Sequence, residues 1–158
     1  MYFEKIQKVL RLFIKLNVII SNQISRFKFS FSLPQPFRLN IFIAGGAGVT
    51  PFISIFWHLE SKNEIGNNKL IFANKKKEDI ILEKEFKKLL GDNFINILSD
   101  EKVKGYSNGQ ITTDFIKANS GGTNKFFYLC GPPPMMKAIE KELADLQVDK
   151  KSIVKESF

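Results

Sequence analysis

From position 39 onward, short apolar runs of strand length alternate with stretches of helical periodicity, and few architectures accommodate that alternation. The runs fall at residues 39–44, 69–73, 94–98, 125–130 and 152–156. Between them, Leu82, Phe86, Leu89 and Leu90, and later Met136, Ile139, Leu143 and Leu146, recur so that each helix can turn one apolar stripe toward a sheet. Helices that follow strands in this way act as crossovers between parallel neighbours. The predicted fold is therefore α/β: a doubly wound, mostly parallel five-stranded sheet with helices on both faces. In such sheets the strand order reverses beside the first strand, where the fourth strand is the usual neighbour. At 158 residues the chain is sized for one domain. Residues 39–158 carry the alternating pattern, and residues 1–38 form a separate N-terminal segment.

The first strand runs into a turn of unusual composition, "IFIAGGAGVTPFISIF". Thr50 is read as the N-cap and Pro51 as the first helical residue, so the glycines form the turn between strand and helix. Glycine lets a backbone approach a bound group closely, and unpaired N–H groups at a helix N-terminus attract anions, so the turn suits a pyrophosphate. It departs from the usual dinucleotide fingerprint, because Pro51 occupies the third glycine position. Tight strand-to-helix turns also use glycine for structural reasons alone. A second junction, "FFYLCGPPPMMKAIEKEL", puts Cys130 and Gly131 at a strand end, followed by Pro132, Pro133 and Pro134. The prolines stiffen the helix entry and offer no N–H donors, which makes a rigid wall rather than an anion cradle. Strand order brings residues 45–50 and 130–133 to the two sides of one crevice.

Together, "GGAGVTP" and "CGPPPM" resemble the pyridine-nucleotide-binding domain of the ferredoxin–NADP reductase superfamily, over roughly residues 39–158. "LIFANKKKEDIILEKEF" is similar to the second strand and following helix of the cytochrome b5 reductase and flavodoxin reductase branches, and "IVKESF" resembles the closing strand. The resemblance implies that Gly45, Gly46, Gly48, Thr50 and Pro51 contact the pyrophosphate and nicotinamide side of NAD(P)H. It implies that Cys130, Gly131, Pro132 and Pro133 line the nicotinamide pocket, with the Cys130 thiol orienting rather than attacking. Glu156 matches an acidic residue that helps organise hydride transfer. Phe158 stands where relatives often stack a tyrosine on the flavin. Met135 is expected to pack the helix start.

Nucleotide choice is expected to lie at residues 74–77, where Asn74 is a cofactor-binding candidate. Lys75, Lys76 and Lys77 could meet a 2′-phosphate, whereas a free ribose diol wants an acceptor. The likeness to NADH-using b5 reductases favours NADH. Relatives carry an FAD-binding β-barrel before this domain, but residues 1–38 fall short of the roughly 50 residues a domain needs, and no Arg-x-Tyr-Ser element occurs. "SRFKFSFSLPQPF" resembles the end of that barrel and its linker, so a truncated member is expected. Two functional classes follow. In the first, the chain is the NAD(P)H-binding half of a flavin oxidoreductase: hydride passes to FAD on a partner chain or missing segment, then electrons pass to a ferredoxin, flavodoxin or haem protein. In the second, it is a nucleotide-binding or interaction module without turnover.

Other chemistry is set aside on composition. The net charge of +8 comes from scattered lysines with no nucleic-acid-binding signature, so no nucleic acid partner is expected. One cysteine excludes an internal disulfide. His58 is the sole histidine and is expected to pack within the first helix, and no metal site is expected. Glu83 and Glu85 are read as a charged helix face with Lys84, Lys87 and Lys88, and "GYSNGQ" as a turn-rich loop. Charges interrupt every apolar run of residues 1–20, which argues against a membrane span or secretion signal, so a cytoplasmic location is expected.

Overall fold

The computed structural model describes residues 40–157. The strands are β1 (Asn40–Gly45), β2 (Lys69–Asn74), β3 (Phe94–Leu98), β4 (Ser107–Asn108), β5 (Phe126–Gly131) and β6 (Ile153–Ser157). They form one sheet in the order β4-β3-β2-β1-β5-β6, and every neighbouring pair is parallel. The α-helices are α1 (Thr50–Ser61), α2 (Glu83–Leu90), α3 (Thr113–Ser120) and α4 (Pro133–Asp145). The strand order reverses between β1 and β5, as the doubly wound reading requires. The sheet has six strands where five are predicted, because "GYSNGQ" contributes the two-residue β4 beside the end of β3. A pairing that short carries no periodicity that a sequence could display.

Strand alternation divides the core into two chemically different layers. Ile41, Ile43, Ile71, Ile97, Phe127 and Leu129 point to one face and pack with Ile116 of α3 and Met136, Ile139 and Leu143 of α4. The alternate residues form an aromatic layer: Phe42 meets Phe52 and Phe56 of α1 and stacks on Tyr128, with ring centroids 4.8 to 5.1 Å apart. The layer continues through Phe86 of α2 to Phe94, whose ring centroids are 5.4 Å apart. β1 and β2 read as almost unbroken apolar runs because both of their faces are covered, the usual condition of a parallel sheet.

At the bottom of β1, Asn40 donates its backbone N–H and its side-chain amide to Asn68 Oδ1, at 3.0 and 2.8 Å. Asn68 in turn donates to the Ile65 carbonyl at 2.8 Å. Two buried asparagines thus tie the start of β1 to the loop entering β2, which fixes the register that carries β1 to the glycine turn.

Candidate functional site

β1 and β5 end side by side, with Ala44 in register with Cys130. Beyond Gly45 the chain makes one 3-10 turn, Gly46–Val49, and enters α1. This turn packs against the ends of both β2 and β5. The strand order therefore brings residues 45–50 and 130–133 together at the switch point.

The three glycines of the turn do different work. A Cβ on Gly48 would overlap the Cys130 carbonyl oxygen, and one on Gly45 would overlap Met135 Sδ. A Cβ on Gly131 would sit 3.2 Å from the Gly45 nitrogen. These glycines let the two turns interlock with each other. Gly46 is different: its φ is +51° and an added Cβ would meet open space, so it supplies the left-handed backbone that swings the turn outward.

Thr50 is not the N-cap. Val49 takes that position with helical backbone angles and no side-chain cap, while the exposed Thr50 hydroxyl donates back to the Ala47 carbonyl at 2.7 Å. The 3-10 turn feeds straight into the helix, shifting its start by one residue. The Thr50 N–H is taken by the Ala47 carbonyl and Pro51 has none, so what this end of α1 offers an anion is the positive end of the helix dipole behind the exposed Ala47 and the half-buried Gly46. Pro51 lies in the first turn of α1, where its missing N–H costs nothing.

Opposite, Pro132 precedes α4 in an extended conformation (ψ 141°), and Pro133 and Pro134 occupy its first turn. All three are exposed, and the Pro132 carbonyl accepts from Met136 N–H at 3.0 Å. Met135 packs its thioether against Gly45 and Gly131, as expected. Cys130 is fully buried at the end of β5. Its burial, together with the charge of Glu156, pushes the thiol pKa up to about 11, so it is a neutral thiol at physiological pH. Glu156 is the β6 register partner of Cys130 and is half-buried. Phe158 lies outside the described residues.

Asn74 closes β2 one residue beyond the pairing of Ala73 with Gly45, at the same end of the sheet as the glycine turn. Its backbone carbonyl accepts from Ser99 N–H at 3.0 Å. Its side chain is 9% exposed, and neither polar atom finds a partner among the described residues. A buried amide with both its donor and its acceptor unused is the kind of group a ligand satisfies. Of the neighbouring lysines, Lys77 holds its ammonium 5.3 Å from the Tyr106 ring centre. Acidic side chains surround that segment: Asp79 accepts from Lys76 N–H at 3.0 Å, and Glu101 accepts from Lys77 N–H at 2.8 Å.

Two expectations about other residues change. His58 is exposed on α1 rather than packed. Glu83 is more than a surface charge, since it accepts a hydrogen bond from the Tyr106 hydroxyl. That bond spans 23 residues, and no local pattern announces it. No cluster among the described residues could hold a metal. No helix among them is long and apolar enough to cross a membrane.

Residues 42–141 match the family described as the oxidoreductase NAD-binding domain. The chain is 36% identical over 104 residues to NADH-cytochrome b5 reductase 2 of Rattus norvegicus, covering 60% of this chain and 37% of that protein. It is 26% identical over 121 residues to the electron transfer component of 2-halobenzoate 1,2-dioxygenase from Burkholderia cepacia, covering 73% and 36%. Among solved structures, it resembles the FAD/NAD-binding domain of nitric oxide dioxygenase from Vibrio cholerae. There the TM-score is 0.72 and the identity 24%, covering 81% of this chain and 54% of that one. The chain spans less than half the length of these curated relatives.

Proposed function

Because the chain belongs to the oxidoreductase NAD-binding domain family, we propose that it is the NAD(P)H-binding part of a flavin-dependent oxidoreductase. In that role it passes hydride from NAD(P)H to FAD and electrons onward to an electron-transfer protein. One observation carries the reading: a helix N-terminus without a side-chain cap stands at the switch point of a parallel sheet, with the open-space glycine Gly46 leading into it. Ligands of open α/β sheets bind in that crevice.

The residues present fit the dinucleotide. The backbone of Gly46 and Ala47, at the positive end of the α1 dipole, would hold the pyrophosphate, with the Thr50 hydroxyl at the same edge. The Asn74 amide would meet the adenosine ribose, and Pro132 and Pro133 would give the nicotinamide a stiff wall. Bound there, NAD(P)H supplies a hydride from its nicotinamide ring. Cys130, neutral at working pH, shapes the base of the crevice without adding charge, and Glu156 supplies the carboxylate nearest to it. FAD would be held by residues outside 40–157 or by another chain, and a ferredoxin, flavodoxin or haem protein would take the electrons. The likeness to an NADH-cytochrome b5 reductase and to a dioxygenase electron transfer component supports that direction.

NADH is the favoured nucleotide. The carboxylates of Asp79 and Glu101 sit against the backbone N–H groups of Lys76 and Lys77, and the Lys77 ammonium lies over the Tyr106 ring, which lowers the positive potential a 2′-phosphate would meet after β2. The buried Asn74 amide suits a ribose diol better than a phosphate.

Calorimetry of the full chain with NADH and NADPH, each with and without FAD, tests the proposal. NADH is expected to bind more tightly than NADPH. Ala47→Asp, an exposed change that places a carboxylate at the mouth of the turn, is expected to weaken binding at least tenfold. If neither nucleotide binds, the assignment of the crevice is wrong. The complete burial of Cys130 favours a second reading, a nucleotide-binding module without turnover. Nucleotide binding with no diaphorase activity after FAD addition selects it.

A further inference from the structure

Far from the switch point, the outer edge of the sheet has a strand-length gap. β4 pairs only with Ile97 and Leu98 of β3, and no strand among the described residues runs beside residues 94–96 on that side. Leu98 turns its carbonyl outward to the Gly109 N–H at 2.9 Å. By strand alternation, Asn96 and Phe94 turn their peptide groups to the same edge. A cleft of about 640 Å³ occupies this gap, and it is lined by consecutive residues of β3, Phe94, Ile95 and Asn96. Consecutive lining residues mean that the cleft follows the edge of the strand rather than one face of the sheet.

The walls of the cleft are biased in charge. Lys84, Lys87 and Lys88 of α2 stand along one side. Lys87 is occupied by Asp92 and the Gly91 carbonyl, at 3.3 and 3.2 Å, whereas Lys84 and Lys88 are exposed and pair with no acid among the described residues. The one carboxylate on this wall, Glu83, accepts from the Tyr106 hydroxyl, which ties α2 to the loop entering β4. Burial, reinforced by Glu83, pushes the Tyr106 pKa up to about 12, so the tie persists through the working pH range. On the floor, the buried Asn96 Oδ1 has no partner among the described residues.

We propose that this gap receives an acidic, extended segment of a partner protein, which adds a strand beside residues 94–96 of β3 and sets its carboxylates against Lys84 and Lys88. Strand addition uses the edge peptide groups for affinity and the flanking side chains for selectivity. The chemistry selects against the chain's own N-terminal segment, whose Lys5, Lys8, Arg11 and Lys15 would meet like charge.

The test uses the full chain and fluorescence anisotropy with a labelled eight-residue peptide of alternating Glu and Val. Two controls accompany it: the Lys/Val counterpart, and the Glu/Val peptide with a central proline that removes a backbone donor. The acidic peptide is expected to bind at least tenfold more tightly than either control, with affinity falling as salt rises. Lys84→Glu combined with Lys88→Glu, or the milder pair Lys84→Ala and Lys88→Ala, is expected to weaken it at least tenfold. NADH affinity, measured in parallel, should stay unchanged, and exchange of the Asn96 amide hydrogen should slow when peptide binds. Failure of the acidic peptide to bind, or equal binding of all three peptides, overturns the proposal. So does tighter binding of a twelve-nucleotide DNA, or a concentration-dependent dimer of this chain that the lysine changes disperse.

Discussion

The glycines of the first turn show how one residue type serves opposite purposes within four positions. Gly48 has no room for a Cβ, because the obstructing atom is the backbone carbonyl of Cys130, which cannot rotate aside. Gly46 has all the room it needs, but its φ of +51° is one that side-chain-bearing residues rarely adopt. Gly48→Ala is expected to destabilise the protein by about 2 kcal/mol or more through overpacking against β5. Gly46→Ala should cost about 1 kcal/mol through backbone strain alone. Urea denaturation of both variants separates the effects, and equal losses would contradict the division of labour. The sequence shows three glycines between a strand and a helix, but not which of them faces protein and which faces space. That distinction depends on β5, more than 75 residues away. Thr50 is misread for a related reason: a Thr-Pro pair marks a helix start, whereas the preceding 3-10 turn, a product of the same packing, moves the N-cap to Val49.

Every α-helix among the described residues ends on a residue of positive φ at or just past its C-cap. α2 uses Gly91, α3 uses Gly121, and α1 uses Asn63, the residue types that accept this conformation most readily. α4 uses Gln147, at φ 58°, which donates its N–H to Ala144 O at 2.9 Å. Gln147 is exposed and carries no packing that a glycine would lose. Gln147→Gly is therefore expected to stabilise the domain by about 0.5–1 kcal/mol, readable as a rise in the denaturation midpoint. The start of α3 depends on a partner helix. Thr113 donates both its N–H, at 2.6 Å, and its hydroxyl to the Glu142 carboxylate of α4. These bonds hold the Glu142 carboxyl below its ordinary pKa. A carboxylate whose pKa falls on folding adds stability above its unfolded pKa and loses it as the pH drops through the folded value. Wild-type stability should thus fall in the acid range below the ordinary carboxylate pKa, and Glu142→Gln should flatten that part of the curve. An unchanged slope would show that the contact carries no net free energy. The apolar spacing of α4 is readable in Met136, Ile139 and Leu143. The role of Glu142 is not, since it faces an element 29 residues earlier and no periodicity records it.

At the scale of the whole molecule, topology was legible because it follows from alternation. Strand, helix, strand in parallel register leaves few options, and the first and fourth predicted strands become β1 and β5, joined at the switch point. The edge was illegible, because β4 is two residues long and held by contacts that no pattern shows. The central pairing of β1 with β5 also makes Cys130 a reporter of the whole fold. Its sulfur is fully buried, so a thiol reagent can reach it only when β5 opens against β1 and the glycine turn. Labelling at pH 8 should therefore run far below the rate of a free thiol and approach that rate in denaturant. A ligand that binds only the folded state lowers the open population by a factor of 1 + [L]/Kd, about 2.7 kcal/mol at a hundredfold excess over Kd. If NADH binds at the switch point, that excess should slow Cys130 labelling roughly a hundredfold. The Lys84/Lys88 variants, beside the outer edge of β3, should leave that protection intact. Slowing by NADH of a thiol that already labels at the free rate would mean direct shielding by the ligand rather than closure of the sheet. Slow labelling that ignores NADH would place the nucleotide away from β1 and β5.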